Sequence, residues 1–230
     1  MKHELEHFQI GDSYGGNQDW FPTFMMRIGG CGAETACDSS LYFALHRGLT
    51  GLAPADAAQS KEAYIRFAYE MRPYLSPRPS GIDRLDIYMG GYAQYLQDHG
   101  ETRLTMTPLD GSEPYEAARA AVIRQIDQGL PIPTLILNHR NPSLRDYVWH
   151  WFLINGYDEP ESEQSEEKPG VNPDETLRKT PDDNRKAEPE APFLVKAVTY
   201  SSYAWLNLRA LWTTGHDKKG GFVLYHLDES

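Results

Sequence analysis

The sequence predicts an α+β fold, and two observations carry that expectation. Apolar residues recur at helical spacing in successive segments up to Gly129, whereas from Pro131 onward the apolar residues gather in short runs rich in β-branched and aromatic side chains. Helices first and strands afterwards, joined by short connections, predict N-terminal helices packed on a mainly antiparallel C-terminal sheet. A chain of 230 residues can bury a core without disulfide or metal staples, and residues 1–230 are expected to form one domain.

The first helix is expected over Gly32 to Arg47, where Ala36, Leu41, Phe43, Ala44 and Leu45 precede Gly48, a natural residue just past a helix end. A second is expected over Ser60 to Met71, with Ala63, Tyr64, Phe67, Ala68 and Met71 at helical spacing before Pro73. A third, Arg84 to His99, uses Leu85, Tyr88, Tyr92, Tyr95 and Leu96; its internal Gly90-Gly91 pair weakens a helix or marks close packing. A fourth starts near Ser112 with Pro114 in its first turn and stops at Gly129. Strands are expected in "PIPTLILN" (Pro131 to Asn138), "YVWHWFLINGY" (Tyr147 to Tyr157), "FLVKAVTY" (Phe193 to Tyr200), "AWLNLRALW" and "GFVLYHL" (Gly221 to Leu227).

Between the second and third of these strands lies a segment of different composition. Residues 159–192 hold 11 acidic and 5 basic residues, six prolines and no aromatic residue. Such a stretch buries too little apolar area to offset the entropy of ordering it, so it reads as a flexible acidic insertion between strands. It also carries much of the net charge of −11. That charge opposes binding to a phosphate backbone, and nucleic acid is excluded as an expected partner. The charged N-terminus has no apolar core stretch, and no window approaches eighteen uncharged apolar residues, so neither signal peptide nor membrane span is expected. Cys31 and Cys37 lie six apart within one expected helix and point to different faces, which favours free thiols and a reducing, cytoplasmic setting.

Cys31 stands where the glycine-rich turn "RIGG" becomes a helix. A thiol there feels the positive end of the helix dipole and is expected to lose its proton readily, which makes Cys31 a candidate nucleophile. A thiol nucleophile needs a base, and among eight histidines His150 has the distinguishing context. In "VWHWFLINGYD" alternation places His150 with Phe152 and Ile154 on one strand face, so one imidazole sits among apolar neighbours. No HExxH, paired-cysteine or calcium-loop pattern occurs and the glycine pairs lack a phosphate-loop Lys, so no cofactor or metal is expected.

"GGCG" opening a helix, preceded by a Gln-containing segment and followed more than a hundred residues later by "HWFLINGYD", resembles the papain-like cysteine peptidases. The similarity is greatest to their bacterial branch of double-glycine-leader, bacteriocin-processing peptidases and related free-standing domains. The resemblance implies a papain-like fold and a thiol hydrolase acting on a peptide or protein substrate through an acyl-enzyme. Cys31 would be the nucleophile, His150 the base, and Gln18 would face the oxyanion together with the Cys31 backbone N–H. Gln18 lies thirteen residues before Cys31, farther than that branch sets it. The family also has an Asp or Asn after the histidine to orient the imidazole; here the corresponding stretch is "VTYSS", which leaves Ser201 or Ser202 as a weak orienter and Asn207 as the nearest amide. That departure keeps open a catalytically degenerate domain that binds a peptide or partner protein, and acyl transfer by the same Cys–His pair is a further alternative.

Overall fold

In the computed structural model, which describes residues 1–78, 81–160 and 191–228, the chain begins with three short strands, β1 (Lys2–Glu4), β2 (Gln9–Ile10) and β3 (Ser13–Tyr14). A six-residue helix α1 (Phe24–Gly29) then runs into α2 (Cys31–His46), followed by α3 (Lys61–Met71) and α4 (Leu85–Asp98). Strand β4 (Leu104–Asp110) and helix α5 (Tyr115–Asp127) lead to β5 (Ile132–Ile136), β6 (His150–Asp158), β7 (Leu194–Thr199), β8 (Ser202–Asn207), α6 (Leu208–Trp212) and β9 (Gly220–Leu227). The acidic insertion expected over 159–192 joins β6 to β7; its residues 161–190 lie outside the described residues.

The fold is α+β, as the order of periods in the sequence predicts. One sheet of seven strands has the order β4-β9-β5-β6-β7-β8, with β1 alongside the far end of β6, and every pairing is antiparallel. Alternation along the strands divides the core between two faces. Leu135, Trp151, Val223 and Tyr225 pack against α2, α3 and α4, whereas Ile136, Phe152, Ile154, Phe222 and Leu224 pack against α5 and α6. Helices therefore cover both faces, not one: α2, α3 and α4 form one cover, and α5 and α6 the other.

The helix signals translate into local structure. Ser60 caps α3 by accepting a hydrogen bond from the Ala63 N–H at 3.1 Å. Gly91 marks close packing: a Cβ there would lie 2.3 Å from the Tyr74 carbonyl oxygen. Two strand expectations change. "AWLNLRALW" is not one strand, because the Asn207 side chain accepts from the Ala210 N–H at 3.0 Å, ends β8 and starts α6, which buries Leu208, Leu211 and Trp212. "LTMTPLD", where no strand is expected, forms edge strand β4 on β9, where Pro108 is tolerated because the outer side needs no donor.

Candidate active site

Helix α2 is the axis of the first core layer, and it is unusual in what it buries. Every residue from Cys31 to Phe43 is buried, including Glu34, Thr35, Asp38, Ser39 and Ser40. Its N-cap is Gly30, which offers no side-chain acceptor, and the preceding turn is tight because a Cβ on Gly30 would stand 2.3 Å from the Met26 carbonyl oxygen. Cys31 is thereby set as the first residue of the helix. The backbone N–H groups of Trp151, Gly32 and Cys31 itself act on its thiol in the direction of the thiolate.

Those N–H groups favour a thiolate, but burial outweighs them. Cys31 is 7% exposed, and desolvation together with the charge of Glu34 one turn later pushes the thiol up to about 11. The low pKa expected from helix position alone is thus reversed at this site. The dipole acts on a group that water can no longer solvate, and desolvation is the larger effect.

His150 is the first residue of β6 and follows Trp149, which holds a left-handed φ of 54°. Its Nε2 is 2.7 Å from the Thr199 hydroxyl oxygen, and its ring stacks on Tyr200 with centroids 4.7 Å apart and planes 4° from parallel. Burial pushes the imidazole down to about 4, so at neutral pH the histidine is uncharged. Trp151, the next residue, belongs to the core layer that packs against α2. His150 itself shares the strand face of Phe152, opposite the face on which α2 packs. No hydrogen bond joins Cys31 to His150 among the described residues.

Gln18 opens a short 3-10 turn capped by Asn17 and is buried against α1 and α2. Its side-chain amide donates to the Arg27 carbonyl at 3.0 Å, and its backbone N–H donates to Glu34 Oε2 at 3.1 Å. The thirteen-residue separation from Cys31 is thus taken up by the 3-10 turn and α1, and Gln18 still returns to the first turn of α2.

Ser201 does not face the imidazole. Its hydroxyl accepts from the Asn17 side chain at 3.1 Å, its N–H donates to Gly16 and its carbonyl accepts from Tyr14, each at 3.0 Å. The hydroxyl that meets His150 belongs to Thr199, the last residue of β7 and two positions earlier. The hydroxyl beside the imidazole is offset from the expected Ser201 because Tyr200 and Ser201 form the turn of the β7–β8 hairpin. Asn207, the nearest amide, is committed to capping α6.

Two buried carboxyls on α2 were not legible as site residues. Asp38 accepts from the Gly16 N–H at 3.1 Å and from the Tyr64 hydroxyl at 2.6 Å, while Glu34 holds the Gln18 N–H. Their spacing is visible in the sequence: Glu34 and Asp38 are four apart, on the same side of α2. Burial raises both, Asp38 to about 6 and Glu34 well above the usual carboxylate range, with mutual repulsion adding to the second. Together they bind the 16–18 loop to α2, and that loop in turn holds Ser201.

An open groove of about 700 Å³ lies between Arg140, Asn141 and the α6 residues Arg209 and Ala210; none of Cys31, His150, Thr199 or Gln18 lines it. Among the described residues, no group of three His, Cys, Asp or Glu side chains is disposed to hold a metal ion, and no helix is long and apolar enough to cross a membrane. No family model matches this chain, and no curated protein or solved structure matches it either.

Proposed function

We propose that the protein is a papain-like thiol hydrolase acting on a peptide or protein amide bond, with Cys31 as nucleophile and His150 as general base. The observation that supports it is a buried histidine at the start of β6 whose Nε2 is held by Thr199, next in sequence to Trp151, whose backbone N–H favours the thiolate of Cys31 at the start of a buried helix. With Nε2 so engaged, Nδ1 is the nitrogen left for the thiol proton. Because the thiol is raised and the imidazole lowered, the resting pair is neutral, and proton transfer accompanies attack instead of preceding it.

In that reaction the Cys31 sulfur bonds to the carbonyl carbon as its proton passes to His150. The oxyanion forms against the Cys31 N–H and the remaining N–H of the Gln18 amide. The imidazolium then protonates the leaving amine, and water, deprotonated by the same histidine, releases the acid from the thioester. Transfer to an amine in place of water uses the same first half. The resembling double-glycine peptidases suggest the bond type, and a cytoplasmic setting suits two buried free thiols.

A second reading, a peptide-binding domain without catalysis, is favoured by the neutral buried pair and by the hydroxyl at Thr199 where a carboxylate or amide would stabilise imidazolium. A peptide vinyl sulfone separates the two. The hydrolase reading expects covalent labelling of Cys31, located by mass spectrometry, that disappears in His150→Ala; equal labelling with and without His150 would reject it.

A further inference from the structure

The groove beside α6 holds none of the residues assigned to the hydrolase reading, and its lining has a chemistry of its own. One wall is the 139–141 segment after β5; the other runs from Asn207 through α6 to Gly215. Hydrogen bonds tie the walls together. His139 Nδ1 accepts from the Asn141 N–H at 2.9 Å, so its Nε2 carries the proton and donates to the Ala210 carbonyl, also at 2.9 Å. The Arg140 N–H donates to the Thr214 carbonyl at 2.9 Å. The groove is thus already formed in the free protein.

Its side chains present donors. Asn141 commits its side-chain oxygen to the Ser143 N–H and Asn207 commits its own to the Ala210 N–H, each at 3.0 Å, which leaves two amide –NH₂ groups. No carboxylate lines the groove, and Arg140 has no ion pair among the described residues. The Arg140 stem is braced on Gly215, whose φ is 74°; a Cβ there would stand 2.7 Å from Arg140 Cδ. On the other wall the Arg209 guanidinium lies over the Tyr115 ring, 3.8 Å from its centroid. Its pair with Glu116 at 3.5 Å joins two exposed side chains and binds the head only weakly.

Two braced guanidinium groups and two amides, with no acid between them, complement a group that has several acceptor oxygens and two negative charges. A volume of about 700 Å³ suits a small molecule. We infer that this groove binds a small dianion, a phosphate monoester or a dicarboxylate, between Arg140 and Arg209. The inference goes beyond the hydrolase reading and does not depend on it.

Isothermal titration calorimetry of the full chain at fixed ionic strength tests it, with inorganic phosphate and succinate as the two probes. At least one is expected to saturate a single site with a Kd of about 1 mM or below, and the tighter probe identifies the ligand class. Arg140→Gln and Arg209→Gln should each weaken that binding about tenfold, the loss of one charge-assisted hydrogen bond. Gly215→Ala keeps both charges but displaces the Arg140 stem, and should weaken it as well. Arg66→Gln, on α3 across the sheet, makes the same change in net charge and should leave binding intact. Cys31→Ser should also bind as the wild type, so failure of the hydrolase reading leaves the groove standing. No saturable heat with either probe would overturn the inference. So would equal weakening in Arg66→Gln or loss in Cys31→Ser, since the anion would then sit elsewhere.

Discussion

Thr199 shows how much a single hydroxyl can be asked to do. It holds His150 Nε2 at 2.7 Å and so selects which ring nitrogen is free, yet it cannot stabilise imidazolium as a carboxylate would. Replacing it with valine keeps the shape of the strand and removes the bond. Thr199→Val is expected to slow vinyl-sulfone labelling of Cys31 about tenfold, within the range of lost general-base assistance. Thr199→Asp is expected to raise the imidazole from about 4 and to speed the same labelling. A mass-spectrometric time course checks both, and equal rates in all three proteins would mean that the imidazole needs no orienting partner here. Cys31 and His150 stand out as candidates at this scale from their contexts alone. Thr199 does not, because the hydroxyl that meets a ring depends on where a hairpin turns.

At the scale of elements, helices with a cap and a periodic face were readable, whereas α6 hid inside an apolar run. Every large residue of "AWLNLRALW" suits a strand, and one asparagine side chain redirects the backbone into a helix. Asn207→Ala removes that acceptor and is expected to cost about 1 kcal/mol, a fall in Tm of about 2–4 °C by calorimetry, with Cys31 labelling unchanged. A Tm equal to the wild type would show that packing of Leu208, Leu211 and Trp212 sets the helix by itself. Edge strand β4 was hidden for the opposite reason. Its Pro108 and its exposed outward residues lack the apolar alternation of a central strand, and only its partner β9 makes it one.

Across the whole molecule, buried carboxyls couple the helical half to the sheet. Asp38 and Glu34 hold residues 16–18, and these hold the β7–β8 turn that carries Thr199 and Tyr200. Asp38 is raised from 3.8 to about 6, so the fold favours its protonated form; that contribution is complete below about pH 4 and is lost as pH rises through 6. Asparagine is neutral throughout. The Tm of Asp38→Asn minus that of the wild type is therefore expected to increase by at least about 2 °C between pH 4 and pH 7. Taking the difference removes the contribution of His150, whose depressed pKa acts in the reverse direction as pH falls. A difference that stays flat over this range would place the Asp38 carboxyl in contact with water.

Local pattern was enough to read most of the order of helices and strands and to single out Cys31 and His150 as candidates, because periodicity, caps and composition are properties of neighbouring residues. The ionisation of these two residues, the hydroxyl beside the imidazole and the ring stacked on it were out of reach of pattern. Each depends on desolvation and on side chains from β7, β8 and the 14–18 loop, which are brought to Cys31 and His150 only when the sheet closes against α2.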